Sequence, residues 1–184
     1  MKRSMTARTA LCALRGGCAL MAGGFAALAL GGASYAKPGD GNWYFFGDSS
    51  TGQGNHAALL EQRGETQFPY SSNNGFRRLS NGLVWSEMMG RDVDIVLDPD
   101  RDSNNVNFAF SGAHITASGD LAEFGLYTGV QIQTAIFAEM VEAGEASVGA
   151  DDVAFIMAGA NDLMDRAAAG EDFDAIIADI AEAG

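Results

Sequence analysis

Short apolar runs alternate with amphipathic segments over most of this 184-residue chain. Four runs have the length and composition of buried strands, namely WYFF (43–46), VDIVL (93–97), VNFAF (106–110) and VAFIM (153–157). Apolar residues recur at helical spacing in three further segments, 80–90, 129–144 and 172–184. Ser80 or Asn81 is expected to cap the first of these helices. Strands that alternate with helices predict an α/β domain whose parallel sheet is covered on both faces.

Three of the strand candidates end on small and polar residues. Gly-Asp-Ser follows the first, Ser-Gly-Ala the third and Gly-Ala-Asn-Asp the fourth. Because the carboxyl ends of parallel strands lie at one edge of a sheet, where sites gather, we expect Ser49, Gly112 and Asn161 to meet there. They lie far apart along the chain, so only the fold can bring them together.

These residue types fit acyl transfer. A serine hydroxyl becomes a nucleophile when a base takes its proton, and the oxyanion that forms needs donors aimed at it. The backbone N–H groups of Gly112 and Ser49 and the carboxamide of Asn161 could supply them. The alternatives are a loop serine, a turn glycine and a helix-capping asparagine. Asp48 and Asp162 are expected to hold loops by hydrogen bonds.

The first 36 residues have the order of a secretory signal peptide. MKRSMTARTALCALR is basic, CALMAGGFAALALGG is apolar, and Ser34 and Ala36 are small residues before a cleavage site. The apolar run is short and rich in Gly and Ala, which disfavours a permanent membrane anchor. We therefore divide the chain into a signal peptide (1–36) and one domain (37–184). Both cysteines, Cys12 and Cys18, lie in the leader, so the mature chain would have no disulfide.

Charge and spacing exclude several kinds of partner. Removing the leader takes four of the 11 basic residues and none of the 24 acids, which leaves a net charge of −17. Such a surface repels phosphate backbones and argues against nucleic acid. Asp98, Asp100 and Asp102 have the alternate spacing of a calcium loop, but Ser103 and Ala109 stand where that loop needs Gly and Glu. We expect an acidic surface loop there, and no metal or cofactor.

Three blocks of the sequence resemble the GDSL, or SGNH, hydrolases. FGDSSTGQGN (46–55), NFAFSGA (107–113) and GAND (159–162) look like the family's first three blocks, in order, and RLSNGLVWSE (78–87) is similar to a segment that follows the first. The resemblance implies a three-layer α/β/α, flavodoxin-like fold with a nucleophile at Ser49 and oxyanion donors at Gly112 and Asn161. Ser50 and Gly52 depart from the family, which often has Leu and Asp there.

The family's last block, Asp-x-x-His, is absent from this sequence. The only histidines are His56 and His114, and the residues three positions before them are Gln53 and Ser111. We expect both histidines to line the rim or bind substrate rather than to act as the base. The sheet is expected to be incomplete at its C-terminus, with base and orienter beyond Gly184 and little or no activity in these 184 residues alone.

The resemblance implies a secreted serine hydrolase that cleaves carboxylic esters of small molecules, lipids or acylated sugars. Export to the extracellular space, the periplasm or the cell surface follows from the leader. Some exported members carry a C-terminal β-barrel translocator (autotransporters), so membrane contact is expected only through the leader or such a barrel. The alternative is a non-catalytic binding or adhesion module that keeps the fold without the base.

Overall fold

The computed structural model describes residues 41–64 and 78–183, which contain one four-stranded parallel sheet. Its strands are β1 (Trp43–Gly47), β2 (Asp94–Ile95), β3 (Val106–Asn107) and β4 (Val153–Met157), in the order β2-β3-β1-β4. All pairs are parallel. Each predicted run therefore contributes a strand, although β2 and β3 are shorter than predicted. The predicted leader lies outside the described residues.

Five α-helices and one 3₁₀ turn are found in the described ranges. The helices are α1 (Asn55–Gln62), α2 (Trp85–Met88), α3 (Val130–Glu142), α4 (Ala160–Ala168) and α5 (Phe173–Ala183), and the 3₁₀ turn spans Ala122–Phe124. The amphipathic pattern predicted α3 and α5, whereas α1 and α4 were not predicted. None of the helices within these ranges is long and apolar enough to cross a lipid bilayer.

The predicted helix over 80–90 is wrong in length and in its cap. Only one turn forms, and it begins after Val84 rather than after Ser80 or Asn81. The carboxylate of Glu87 accepts the Val84 N–H at 2.9 Å and pairs with Arg78. The Ser80 hydroxyl instead accepts the Gly82 N–H within a turn. These contacts start the helix four residues later than the apolar pattern indicates.

Side chains of β1 pack against helical segments on both faces of the sheet. Phe46 stacks on Phe108 with ring centroids 5.0 Å apart, and Phe137 of α3 packs edge-on against both rings. On the opposite face Phe45 stacks on Phe155 at 4.9 Å. Trp85 of α2 packs edge-on against both Phe45 and Phe155. Both faces are covered at β1, as expected for a parallel sheet. The prediction that VAFIM is a buried strand is wrong, because Ile156 and Met157 of β4 are largely exposed. The predicted α/β class is confirmed.

Candidate active site

Ser49 lies in a tight turn directly after β1. The backbone carbonyl of Asp48 accepts the N–H groups of Thr51 at 3.1 Å and Gly52 at 2.9 Å. The buried Asp48 carboxylate accepts the Ser50 N–H at 2.9 Å and the Ser50 hydroxyl at 2.6 Å. Ser49 itself is half-buried, and its N–H and Oγ make no hydrogen bond within the described part of the chain. Asp48 therefore shapes the turn, as the sequence suggests, and leaves both polar groups of Ser49 open.

A buried glutamine fixes the start of this turn. The side-chain oxygen of Gln133, on α3, accepts the Gly47 N–H at 2.8 Å. Its Nε2 donates to the Gly47 carbonyl at 2.8 Å and to the Thr128 carbonyl at 2.9 Å. Leaving a buried backbone group without a partner costs about 1–3 kcal/mol, so Gln133 is a main support of the end of β1. This residue was not predicted from the sequence. Its signal was a polar residue within the otherwise apolar buried stripe of α3.

Two buried asparagines join the turn to β3. Asn55 Nδ2 donates to the carbonyls of Asn107 at 2.8 Å and Ala109 at 3.2 Å, and its Oδ1 accepts the Leu97 N–H at 3.2 Å. Asn107 Nδ2 donates to the Thr51 carbonyl at 2.8 Å. Beyond the end of β3, the side-chain amides of Asn55 and Asn107 make hydrogen bonds to the backbone in place of those between paired strands. They therefore hold the serine turn at a fixed position on the carboxyl edge of the sheet.

Gly112 lies at the same edge, in the segment after β3. The Phe110 N–H donates to the Gly47 carbonyl at 3.1 Å, which ties this segment to the start of the serine turn. Gly112 has φ +72°, and a Cβ there would lie 2.1 Å from the carboxylate of Asp120. Its N–H makes no hydrogen bond to any residue in the described ranges. Both the left-handed backbone and the close carboxylate require glycine at this position.

Asn161 reaches the Gly112 segment from α4. Its Nδ2 donates to the carbonyl of Ala113 at 2.9 Å. A carboxamide has two N–H groups, so a second donor remains on the same nitrogen. The N-cap of α4 is Gly159, with φ 102°, and no side chain caps this helix. The helix-capping alternative for Asn161 is therefore wrong.

The three predicted site residues thus follow three parallel strands that are neighbours in the sheet. Ser49 comes two residues after β1, and its strand pairs with both β3 and β4. Gly47 is in register with Met157 of β4. Together with the Phe110–Gly47 and Asn161–Ala113 hydrogen bonds, this places Ser49, Gly112 and Asn161 at one edge of the sheet. The catalytic roles of the three residues stay predictions.

The two histidines have different surroundings, and neither belongs to an Asp-x-x-His motif. His56 is buried in α1, and its Nδ1 donates to the Ser111 carbonyl at 3.0 Å. The expectation that it lines the rim is wrong, because its ring is buried against the Ser111 carbonyl, and the alternative that it binds substrate stays a prediction. His114 is partly exposed, as expected of a rim residue, and its Nε2 lies 3.0 Å from Oδ2 of Asp165.

His56 should make stability depend on pH. Burial lowers the pKa of His56 below its ordinary value of about 6.5, and the Ser111 carbonyl and the charge of Asp120 only partly oppose this. Since the unfolded chain binds the proton more readily, the free energy of unfolding should be highest above pH 6.5 and should fall as pH drops below it. Urea unfolding at pH 7.5 and 5.5 measures the fall.

The matched variants for this measurement are His56→Gln and His114→Gln. The loss between pH 7.5 and 5.5 should be smaller in His56→Gln than in the wild type, because the titrating imidazole is gone. In His114→Gln the loss of stability between pH 7.5 and 5.5 should be as large as in the wild type. An equal loss in the wild type and His56→Gln would contradict the assignment and would point to the carboxylates.

The acidic segment at 98–105 forms a loop that carboxylates hold through backbone N–H groups. Oδ1 of Asp98 accepts the Asp100 N–H at 2.9 Å. Asp94 accepts the N–H groups of Asp102 and Ser103 through its Oδ2, at 2.9 and 2.8 Å. Among the described residues, no group of three or more His, Cys, Asp or Glu side chains has an arrangement that could hold a metal ion. The carboxylates of Asp94 and Asp98 therefore shape the loop backbone.

One family of known proteins matches most of the chain. The family described as GDSL-like Lipase/Acylhydrolase matches residues 44–183, which run from β1 to the end of α5. No curated protein shows a significant match to the chain. The family match covers well over half of the sequence and includes all three strand ends of the candidate site. The chain therefore belongs to the GDSL-like lipase and acylhydrolase family and is a hydrolase of the esterase and lipase type.

Proposed function

We propose that this protein is a serine hydrolase that cleaves carboxylic esters through an acyl-enzyme on Ser49. The observation that carries the proposal is the set of open polar groups at one sheet edge. Ser49 offers a hydroxyl and an N–H, Gly112 offers an N–H, and Asn161 offers its second amide hydrogen. Gly112 is buried, and buried donors rarely lack partners in a folded protein. An open N–H there, beside the open groups of the partly buried Ser49 and Asn161, supports a site for an anionic oxygen.

The proposed reaction has two steps. Ser49 Oγ attacks the ester carbonyl carbon while a base takes its proton, and the carbonyl oxygen becomes an oxyanion held by the three donors. The tetrahedral intermediate expels the alcohol, which receives the proton, and leaves the acyl group on Ser49. Water then attacks the acyl-enzyme with the same base, and the carboxylic acid leaves. We propose that the His base and its Asp partner come from sequence beyond Gly184.

The biological setting is also a proposal. The basic and apolar leader supports export of the mature domain, to the periplasm, the cell surface or the medium. The net charge of −17 that follows leader removal supports neutral or lipid ester substrates over anionic polymers. A C-terminal barrel, as in autotransporter esterases, would suit the same leader. Reading the gene past codon 184 tests both the Asp-x-x-His block and the barrel.

A fluorophosphonate probe on the full-length gene product tests the proposed function directly. Such probes form a covalent bond only with an activated serine, so we expect one adduct per molecule, located by peptide mass spectrometry on Ser49. Hydrolysis of short p-nitrophenyl esters should accompany labelling. The 184-residue chain alone should label much more slowly. Absence of labelling in well-folded full-length protein would contradict the proposal and favour the non-catalytic module.

A further inference from the structure

The segment that carries Gly112 is held from two sides by the first turns of two helices. We call residues 112–119 the glycine segment. On one side the N–H groups of Val130 and Gln131, at the start of α3, donate to the carbonyls of His114 at 2.8 Å and Ile115 at 3.3 Å. Backbone bonds of this kind do not depend on which side chains are present. The α3 side of the segment is thus fixed by the main chain.

On the other side, three residues of α4 each contact a different residue of the glycine segment. Asn161 donates to the Ala113 carbonyl at 2.9 Å. The carboxylate of Asp162 accepts the Ile115 N–H, with its two oxygens at 3.1 and 3.3 Å. Asp165 lies 3.0 Å from the His114 ring. One helix thus supplies a proposed oxyanion donor and holds the segment that bears the other.

The two carboxylate contacts differ in strength. The Asp165 carboxylate is 64% exposed, and a contact between exposed side chains of this kind stabilises by at most about 1 kcal/mol. Asp162 is only partly exposed and accepts a backbone N–H with a charged group, which gives a stronger hydrogen bond. The Ile115 N–H would lose this acceptor if the carboxylate were removed. Of the two carboxylates, Asp162 is therefore the stronger link between α4 and the glycine segment.

We propose that Asp162 is a positioning residue that holds the Gly112 N–H at the correct separation from the Asn161 amide. This proposal rests on the proposed function, since it assigns a role in forming the oxyanion hole. Asp162 acts through Ile115 and does not touch the substrate. Ile115 is three residues from Gly112, and Asp162 is next to Asn161. A shift of the glycine segment therefore changes the distance between the two oxyanion donors more directly than it changes the binding of the acyl or alcohol part of the substrate.

The test compares steady-state ester hydrolysis by full-length wild type, Asp162→Ala and Asp162→Asn. A misplacement of about 1 Å can cost about a hundredfold in rate, so Asp162→Ala should lower kcat about 10- to 100-fold with KM within about twofold. The carboxamide oxygen of Asp162→Asn can still accept the Ile115 N–H. That variant should keep kcat within about threefold of wild type, since the proposed role needs a hydrogen-bond acceptor for the Ile115 N–H and not a negative charge.

Asp174→Ala is the matched control. Asp174 is an exposed aspartate in the first turn of α5, as Asp162 is an acid in the first turn of α4, so both changes remove the same charge from a helix start. Its kcat should equal that of wild type. If Asp162→Ala unfolds at the assay temperature, Asp162→Glu replaces it, because the longer side chain keeps the charge but displaces the acceptor, and the same fall in kcat is expected.

The outcomes separate this proposal from the proposed function. An active wild type with unchanged kcat in folded Asp162→Ala or Asp162→Glu would overturn the positioning role and leave the esterase intact. Equal losses in Asp162→Ala and Asp162→Asn would also overturn it, because they would show that charge rather than an acceptor matters. A wild type that neither hydrolyses esters nor labels with fluorophosphonate would overturn both.

Discussion

Ser49→Ala is expected to abolish ester hydrolysis and fluorophosphonate labelling in the full-length protein. Without the hydroxyl no acyl-enzyme can form, and the remaining donors can only assist direct attack by water. Loss of a serine nucleophile typically lowers kcat by about 10⁴- to 10⁶-fold, and an effect of that size is expected here. The measurement is kcat with a p-nitrophenyl ester, together with gel fluorescence of the labelled protein. Circular dichroism should show an unchanged fold, because Ser49 Oγ has no partner within residues 41–64 and 78–183.

Ser50→Ala is the matched comparison, since it removes a hydroxyl from the next position of the same turn. The Ser50 hydroxyl donates to Asp48, whose carboxylate also holds the Ser50 N–H. One of the two contacts survives the change, so a loss of at most about tenfold is expected, the size of one weakened hydrogen bond. If Ser50→Ala lost all labelling while Ser49→Ala kept it, the nucleophile would be Ser50.

The sheet could be predicted from sequence because parallel strands buried on both faces appear as continuous apolar runs. WYFF is the clearest example, since every residue of β1 is buried. VAFIM also forms a strand, but Ile156 and Met157 of β4 are largely exposed, so this run is apolar without being buried. The two runs pair as β1 and β4, and the segments that carry Ser49 and Asn161 follow them. The site segments could be predicted because glycine follows three of the four apolar runs within a few residues. From these two patterns alone, Ser49, Gly112 and Asn161 were expected at one edge, and the fold places them there.

The supports of the site could not be predicted, because their partners are distant in sequence. Nothing near Gln133 indicates that it would bond Gly47, 86 positions away. Asn55 was included in a motif, but its bonds to Asn107 and Leu97 depend on how β2 and β3 end. Helix α1 was missed for a local reason. Its N-terminus follows a glycine-rich turn, and Gly54 has φ 139°, so the turn signal concealed the start of the helix.

The histidines show a related limit of sequence reasoning. Proximity in sequence to the Ser49 and Gly112 blocks correctly placed both near the site segments. Burial could not be predicted in the same way. His56 is covered because α1 turns it toward the Ser111 carbonyl, whereas His114 extends toward the exposed Asp165. The helix that carries His56 was not predicted, so its direction could not be known.

Gly47→Ala is expected to cause a large loss of stability. Gly47 has φ 145°, which side-chain-bearing residues rarely adopt, and a Cβ would lie 2.1 Å from the backbone carbonyl oxygen of Met157. The obstacle is main chain of the neighbouring strand, so it cannot rotate away, and β1 and β4 must separate. Backbone strain together with overpacking should lower the free energy of unfolding by more than about 3 kcal/mol. Urea unfolding followed by tryptophan fluorescence measures the loss, since Trp43 and Trp85 both pack on this sheet.

Two other glycines separate the causes of this loss. Gly64 has φ 76° with nothing within 4 Å of a Cβ, so Gly64→Ala introduces backbone strain alone and should cost about 1–2 kcal/mol. Gly82 has open space and no positive φ, so Gly82→Ala should be neutral or slightly stabilising, because it restricts only the unfolded chain. If Gly47→Ala cost no more than Gly64→Ala, contact with Met157 would not be limiting. The separation between Gly47 of β1 and Met157 of β4 would then have to be larger than the structure shows.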